Sequence, residues 1–189
     1  MTPLTYLFIQ DKVSVYRQLL GENFDRLQDS SLKLFHDSIE GVQISGILYF
    51  QPFPSPISNI ITKLMKFPKG KHKMIVRVGK MENLEIWKRK TKKWGLNSTL
   101  SVNRRYLLEK IGPLTLQIKL KVTENQIVYR SQTSKVVRFR LPTKLSVHLM
   151  ATEEIHKEGW KPKVIVRLPF IGKIIKYRGF VMLDGDRNF

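Results

Sequence analysis

LTLQIKLKVTENQIVYRS, residues 114–131, is the stretch that decides the fold, because apolar and polar side chains alternate along its first half without a break. Alternation with a period of two is typical of a β-strand that has one buried and one solvated face. Glu124 and Asn125 then form a polar turn, and residues 127–130 return as a second strand. The stretch therefore predicts an antiparallel β-hairpin.

The same alternation continues on both sides of the hairpin. Further strands are predicted at residues 42–50, 74–78, 84–90, 96–102, 106–109, 136–141, 145–156, 160–168 and 174–183. Strands that follow one another through short turns favour an antiparallel meander, and a sheet of this length tends to curl or close. We therefore expect an α+β fold in which a large curved antiparallel β-sheet or partial barrel of about nine or ten strands packs on short N-terminal helices.

Three helices are predicted in the first third of the chain. The first covers residues 13–20 and ends at Gly21, a residue type that commonly terminates helices. The second lies within residues 23–35, with a break where polar residues 29–31 interrupt its apolar period. The third, residues 56–67, has one apolar face and lysines toward its end, where cations suit the helix dipole.

The length of 189 residues suits one domain. We expect residues 1–189 to form a single domain, mainly helical with one strand over residues 13–67 and an antiparallel β-meander over residues 71–183. The absence of cysteine excludes disulfides, thiolate catalysis and cysteine-bound metals. No segment approaches the roughly 20 apolar residues that span a bilayer, and residues 1–12 lack the basic start and cleavage site of a signal peptide. The expected location is therefore cytoplasmic.

Net charge is where the composition departs from that of a typical domain. The chain has 34 basic and 15 acidic residues, a formal net charge of +19. The excess is uneven, because residues 1–62 have four basic and six acidic residues whereas residues 63–93 have twelve basic and two acidic ones. A field of this sign attracts polyanions.

Two basic clusters with aromatic neighbours, KFPKGKHK at residues 66–73 and WKRKTKKW at residues 87–94, form a predicted anionic-surface site. With the preceding lysine, its members are Lys63, Lys66, Lys69, Lys71, Lys73, Trp87, Lys88, Arg89, Lys90, Lys92, Lys93 and Trp94. Such a cluster suits an anionic membrane surface or a nucleic-acid backbone with stacked bases, and it also suits a solvated edge that discourages strand pairing. We rank nucleic acid behind lipid because the helix at residues 57–67 has the pattern of an interfacial helix, although a core-packed helix has the same pattern.

Glu153 is the polar residue whose position is unusual. Strict alternation along residues 145–156 places it on the apolar face, where an unpaired carboxylate is costly and should meet a cation, a hydrogen-bond donor or a ligand. The alternatives are a bulge near Ala151 that returns Glu153 to solvent, or an ion pair with a neighbouring-strand arginine. The candidate ligand-binding residues of a cavity inside the sheet are Glu153, Arg167, Arg178 and Tyr177.

No catalytic residue, cofactor or metal site is predicted. The chain has no glycine-rich nucleotide fingerprint, phosphate loop, nucleophile elbow or metalloprotease helix. His148 and His156 lie on one strand about 26 Å apart, too far to share an ion, and His36 and His72 are expected at the surface. Enzymatic activity stays open, because acid and base groups can be brought together from distant strands.

The chain resembles the uncharacterised bacterial domain-of-unknown-function family 4166. The resemblance is carried by YRQLLGENFDRL at residues 16–27, the strand around Trp87, LLEKIGPLTLQIKL at residues 107–120, and VRLPFIGKIIKYRGF at residues 166–180. Domains of this family often follow a saccharopine-dehydrogenase-like or other nucleotide-binding reductase domain. The resemblance therefore implies a reductase-domain partner and an association with redox or lipid-related metabolism, but no catalytic residues.

These observations favour a non-catalytic domain that binds an apolar or lipid-like ligand, an anionic membrane surface, or both. One alternative is an accessory or small enzyme that acts on an apolar substrate in the sheet cavity, with Glu153 as its polar group. A second alternative is nucleic-acid binding through the basic face. Membrane docking would give the cytoplasmic protein a peripheral location at the inner membrane surface.

Overall fold

A computed structural model describes residues 13–81, 83–137 and 139–184. The expectation that the chain has no signal peptide concerns residues 1–12, which lie outside the described residues. Within the described part, none of the helices is long and apolar enough to cross a membrane.

Eleven antiparallel strands form a single sheet in the described residues. Their bounds are β1 Val42–Pro52, β2 Gly70–Met81, β3 Leu84–Lys90, β4 Gly95–Asn103, β5 Tyr106–Ile111, β6 Leu114–Thr123, β7 Gln126–Val136, β8 Phe139–Arg140, β9 His148–His156, β10 Gly159–Leu168 and β11 Gly172–Leu183.

Ten of these strands close into a barrel. From β1 to β7 each strand pairs with the next along the chain, β7 then pairs with β9, and β11 pairs back with β1, while the short β8 pairs only with the end of β7. The predicted hairpin is confirmed as β6 and β7, joined at Thr123 and Gln126. The predicted curved antiparallel sheet is also confirmed, and its closure leaves no long unpaired edge.

The helices are short, and a serine side chain begins each α-helix. Ser14, Ser30 and Ser55 accept hydrogen bonds from backbone N–H groups in the first turns of α1 Val15–Leu20, α2 Ser31–Asp37 and α3 Pro56–Leu64. Two 3₁₀ helices cover Gly21–Arg26 and Thr143–Leu145. The predicted break at residues 29–31 is confirmed, because Ser30 is the cap of α2.

Antiparallel pairing gives the barrel two ends with different coverings. We call the end near α1 and α2 the α1–α2 end and the end near α3 the α3 end. The α1–α2 end comprises residues 13–41, 103–106, 123–126 and 156–159. The α3 end comprises residues 52–71, 90–95, 111–114, 135–137, 139–147 and 167–173.

At the α1–α2 end, the interior of the barrel is filled by core side chains that include residues of α2. Phe35 of α2 packs between the indoles of Trp87 and Trp160, at ring-centroid distances of 5.4 and 5.1 Å. The backbone N–H of Gln28 donates to the carbonyl of Glu124 in the β6–β7 turn, at 2.8 Å. The first two predicted helices thus close one end of the sheet instead of covering one of its sides.

Two predicted strands have different bounds. The strand predicted at residues 136–141 is wrong, because Val137 has a left-handed backbone conformation (φ 57°) that ends β7, and only two residues of that stretch form β8. The strand predicted from residue 145 begins at His148, because the preceding residues form a 3₁₀ turn.

Glycines permit a close approach between β1 and β11. A Cβ atom on Gly179 would lie 2.0 Å from the carbonyl oxygen of Ile47, and one on Gly46 would lie 2.1 Å from the carbonyl oxygen of Phe180. Both contacts are with backbone, which cannot rotate away as a side chain can. The pairing that closes the β1–β11 seam therefore requires glycine at these positions.

Replacing Gly179 by alanine is expected to lower the free energy of unfolding by about 1–3 kcal/mol or more, because the added methyl group forces the two strands apart. Gly79→Ala is the matched control, since a Cβ on this strand glycine meets nothing within 4 Å. Urea denaturation of both variants measures the difference. Equal stability of the two variants would contradict the close-approach argument.

Candidate functional site

The barrel encloses a cavity of about 350 Å³. Its walls consist mostly of aliphatic side chains that point inward from the strands, among them Leu48, Leu100, Leu107, Leu116, Val164 and Val181. Toward the α3 end the lining remains apolar, with Ile61 and Met65 of the α3 region, Ile111 and Leu168. The cavity is therefore an apolar chamber that extends along the barrel.

A buried ion pair is one of the polar groups on the cavity wall. Arg89 of β3 donates from Nη2 to Glu109 Oε1 of β5 at 3.1 Å and from Nη1 to Ser98 Oγ at 2.7 Å. Ser98 Oγ in turn donates to Glu109 Oε1 at 2.9 Å. Burial by itself lowers the pKa of Arg89, but the Glu109 carboxylate, Tyr177 and Tyr16 together outweigh this effect and the pKa is raised. The guanidinium, which has five N–H donors, therefore stays charged and keeps donors for a further partner.

A second polar group surrounds Glu153 of β9. Its Oε2 lies 2.7 Å from His36 Nε2 and accepts a hydrogen bond from the hydroxyl of Tyr129 at 2.5 Å. The hydroxyl of Tyr16 lies 3.3 Å from that of Tyr129. Burial by itself raises the pKa of Glu153, but the attraction of His36, the hydrogen bonds of His36 and Tyr129, and the charge of Arg89 hold it below its ordinary value.

The two tyrosines of this group remain protonated over a wide pH range. Burial is the largest cause that raises the pKa of both Tyr16 and Tyr129, and the negative charge of Glu153 raises both further. The imidazole of His36 is fully buried and packs against the ring of Tyr16 at a centroid distance of 3.8 Å and an interplanar angle of 37°. Its Nδ1 has no hydrogen-bond partner among the described residues.

Tyr177 of β11 presents a hydroxyl to the same cavity. Burial raises its pKa to about 12, although the charge of Arg89 opposes the shift. Its ring packs on Phe50 at a centroid distance of 5.2 Å. Within residues 13–81, 83–137 and 139–184, no group forms a hydrogen bond with this hydroxyl. A hydroxyl in that position is available to a bound molecule.

The carboxylates that line the cavity already have hydrogen-bond donors within the protein. Glu153 and Glu109 already accept hydrogen bonds from protein donors, so the groups left over include the Tyr177 hydroxyl and the remaining donors of Arg89. A carboxylate such as that of Glu153, whose pKa is lowered, is a weak general base near neutral pH. The arrangement therefore suits an apolar molecule with one hydrogen-bond-accepting group.

Two of the four predicted cavity residues line the cavity and two do not. Glu153 and Tyr177 face inward, whereas Arg167 and Arg178 are exposed on the outer surface. Alternation explains the error, because Val166 and Tyr177 occupy the inward positions next to these arginines. Glu153 is neither returned to solvent by a bulge nor paired with these arginines, since its partners are His36 and Tyr129.

Three residues of the predicted anionic-surface site, Trp87, Arg89 and Trp94, lie inside the protein instead of at its surface. Trp87 and Trp94 are only 6% and 8% exposed, and Arg89 points into the cavity. The period of β3 turns residues 85, 87 and 89 inward, and the indole of Trp94 packs on Phe67 at a centroid distance of 5.2 Å. The other members are exposed, namely Lys63, Lys66, Lys69, Lys71, Lys73, Lys88, Lys90, Lys92 and Lys93.

Several residues of the cavity are missing from the predicted ligand-binding set, and one of them, Arg89, is predicted at the anionic surface instead. Arg89 and Glu109 share the parity of neighbouring apolar residues on their strands, which is the same signal that identified Glu153. His36, predicted at the surface, is buried because α2 inserts into the barrel end. Nothing in the sequence shows that this helix meets β9.

The fold and the cavity define the class of this protein as a closed antiparallel β-barrel domain with an internal, mostly apolar cavity. Residues 33–180 match the family DUF4166, described as a domain of unknown function, and the chain belongs to this family. The family resemblance noted in the sequence is thereby confirmed.

Comparison with other proteins adds one similar structure. No curated protein sequence matches the chain. The crystal structure of Rv2717c from M. tuberculosis is similar, with a TM-score of 0.49 and 11% sequence identity over 83% of this chain and 99% of that chain.

The pairing of Glu153 predicts a pH dependence of stability. Its pKa is lower in the folded than in the unfolded protein, so its contribution is present above the unfolded-state value of about 4.3 and is lost as the pH falls through the folded-state value. Glu153→Gln is expected to lower the free energy of unfolding at neutral pH by about 1–3 kcal/mol and to remove part of the acid-induced loss.

Urea unfolding from neutral to acidic pH measures this effect. Glu154→Gln is the control, because the neighbouring residue Glu154 is exposed on the outer face. A parallel loss of stability in the wild type and in Glu153→Gln would show that Glu153 does not titrate as its contacts require.

Proposed function

We propose that this domain binds one apolar molecule inside the barrel and holds a single hydrogen-bond-accepting group of that molecule with Tyr177 and Arg89. The observation that carries the proposal is the unpartnered Tyr177 hydroxyl on the wall of a mostly apolar cavity. Ligand pockets typically combine apolar walls with a few placed polar groups in this way.

The size and lining of the cavity support an apolar ligand body. A cavity of about 350 Å³ lies toward the lower end of the range for ligand pockets, ~300–1,000 Å³. An empty apolar cavity costs stability in proportion to its volume, because the side chains around it lose contacts. A single alkyl chain or a small fused-ring molecule would restore those contacts.

The placement of the donors supports an accepting group on the ligand. Arg89 is neutralised by Glu109 but has unused N–H donors, and Tyr177 donates from the neighbouring part of the wall. A carboxylate would use the positive charge of Arg89, whereas a hydroxyl or carbonyl would use the hydrogen bonds alone. The two kinds of ligand are distinguishable with a matched pair of probes.

Filling the cavity is expected to abolish ligand binding. Ala151 lines the cavity and Thr152, the next residue of β9, faces the outer groove. Ala151→Phe should bind neither the fluorescent lipid cis-parinaric acid nor oleate, which displaces this lipid from the wild type. Thr152→Phe should bind both as the wild type does. Native mass spectrometry of the gently purified wild type should show an extractable apolar adduct that Ala151→Phe lacks. Equal oleate binding by both variants would sink the proposal.

Removing the Tyr177 hydroxyl is expected to weaken binding without unfolding the protein. Tyr177→Phe should raise the dissociation constant for oleate about tenfold or more, as for loss of a hydrogen bond to a charged group. Tyr49→Phe on the exposed outer face of β1 is the control. A parallel titration with oleyl alcohol shows whether charge or hydrogen bonding selects the ligand. If Tyr177→Phe binds both probes as the wild type does, Tyr177 does not hold the polar group.

A further inference from the structure

The two ends of the barrel differ in charge. The six segments of the α3 end contain twelve basic residues and no acidic residue, whereas the four segments of the α1–α2 end contain six basic and seven acidic residues. The end where the cavity lining is apolar therefore has only basic residues among its charged groups, whereas the charges of the opposite end nearly balance. An even distribution of a net charge of +19 would not produce this separation.

Large apolar side chains protrude from the same end. Nine exposed apolar residues lie there, and the three most exposed are Phe170 in the β10–β11 turn at 88%, Leu64 of α3 at 80% and Phe139 of β8 at 78%. They come from three separate parts of the chain that the barrel brings to one end. Clustered apolar exposure of this kind, unlike single surface residues, marks an interaction site.

Helix α3 has the reverse of the usual orientation for a surface helix. Its buried residues are Ser58 and Thr62, and the Ser58 hydroxyl donates to the carbonyl of Ile174 at 2.7 Å. Its apolar residues Ile57, Ile60 and Leu64 are exposed. A surface helix normally buries such residues in the core, so the outer face of α3 is suited to an apolar environment outside the protein.

We propose that the α3 end docks on an anionic lipid bilayer. The outer face of α3 and the side chains of Phe139 and Phe170 enter the interfacial region, and the surrounding lysines bind the lipid headgroups. Amphipathic segments with apolar tips and flanking cations bind membranes by this combination of burial and charge. The cavity residues Ile61 and Met65 then lie next to the bilayer, which gives an apolar ligand a direct route to the barrel.

Charge and shape favour lipid over other partners. A second copy of the α3 end would repel this one, because both carry only basic residues among their charged groups. The two aromatic indoles predicted to stack on nucleic-acid bases are buried in the core. The exposed apolar groups are mainly aliphatic side chains and isolated phenyl rings at chain turns, which suit hydrocarbon better than a polar backbone.

Docking itself is independent of the cavity, whereas the statement about the ligand route rests on the proposed function. Ala151→Phe is therefore expected to bind vesicles as the wild type does even though it binds no oleate. Docking-deficient variants are expected to bind oleate normally in solution. Failure of one proposal is in this way distinguishable from failure of the other.

Co-sedimentation with vesicles tests the docking surface. Vesicles of equal parts phosphatidylcholine and phosphatidylglycerol should bind the protein, and vesicles of pure phosphatidylcholine should not. The triple variant K63Q/K66Q/K69Q should lose affinity on the order of a hundredfold at low salt, since each lysine near an anionic surface contributes about 1 kcal/mol. The double variant I60S/L64S should lose about tenfold or more at both low and high salt, because its contribution is apolar.

Matched controls come from the α1–α2 end. R104Q/R105Q/K157Q removes the same charge, and L34S/I39S removes two exposed apolar side chains. Both controls should bind vesicles within about twofold of the wild type, as expected for sites away from the interface. Equal losses in variants and controls, or equal binding to uncharged vesicles, would overturn the proposal. A third outcome would also overturn it: the protein binds a DNA duplex but not vesicles, the lysine variant loses DNA binding, and I60S/L64S retains it.

Discussion

Closure of the sheet into a ring is the constraint on which the rest of this structure depends. Once β6 pairs with β7 and β11 pairs with β1, every second residue of ten strands faces a common interior. The interior is then separated from water by the hydrogen-bonded strands of the ring. A charged group that the alternation places inside is costly without a partner, and Arg89 and Glu153 accordingly pair with Glu109 and His36.

The buried polar residues therefore fall into two groups, those with partners in the protein and those without. Carboxylates that already accept two hydrogen bonds are largely satisfied and hold the strands in register. The donors that remain belong to residues that line the cavity. In the proposed function, binding specificity depends on the few polar groups that have no hydrogen-bond partner in the protein. A cavity with mostly aliphatic walls can in this way discriminate between apolar molecules.

The sequence predicts the local structure of this protein much better than its site. Period-two alternation identifies the β6–β7 hairpin, the bounds of β3, and the inward direction of Glu153, because each depends only on neighbours along one strand. Whether Arg167 or His36 is the partner of Glu153 depends on which element crosses the barrel, and no local pattern records that. The basic composition of the cluster around Trp87 and Trp94 predicts a surface position, although the alternation within β3 turns Trp87 and Arg89 inward. Composition thus misleads where periodicity does not.

The separation of charge between the two ends also makes the molecule an electric dipole of considerable length. The barrel places a purely basic end opposite an end of nearly balanced charge, so an external field exerts a torque on the protein as well as a pull. Near any negatively charged surface this torque acts within a Debye length, ~8–10 Å at physiological salt. In the docking proposed above, this torque turns the α3 end toward the surface before contact, which raises the fraction of encounters that lead to binding.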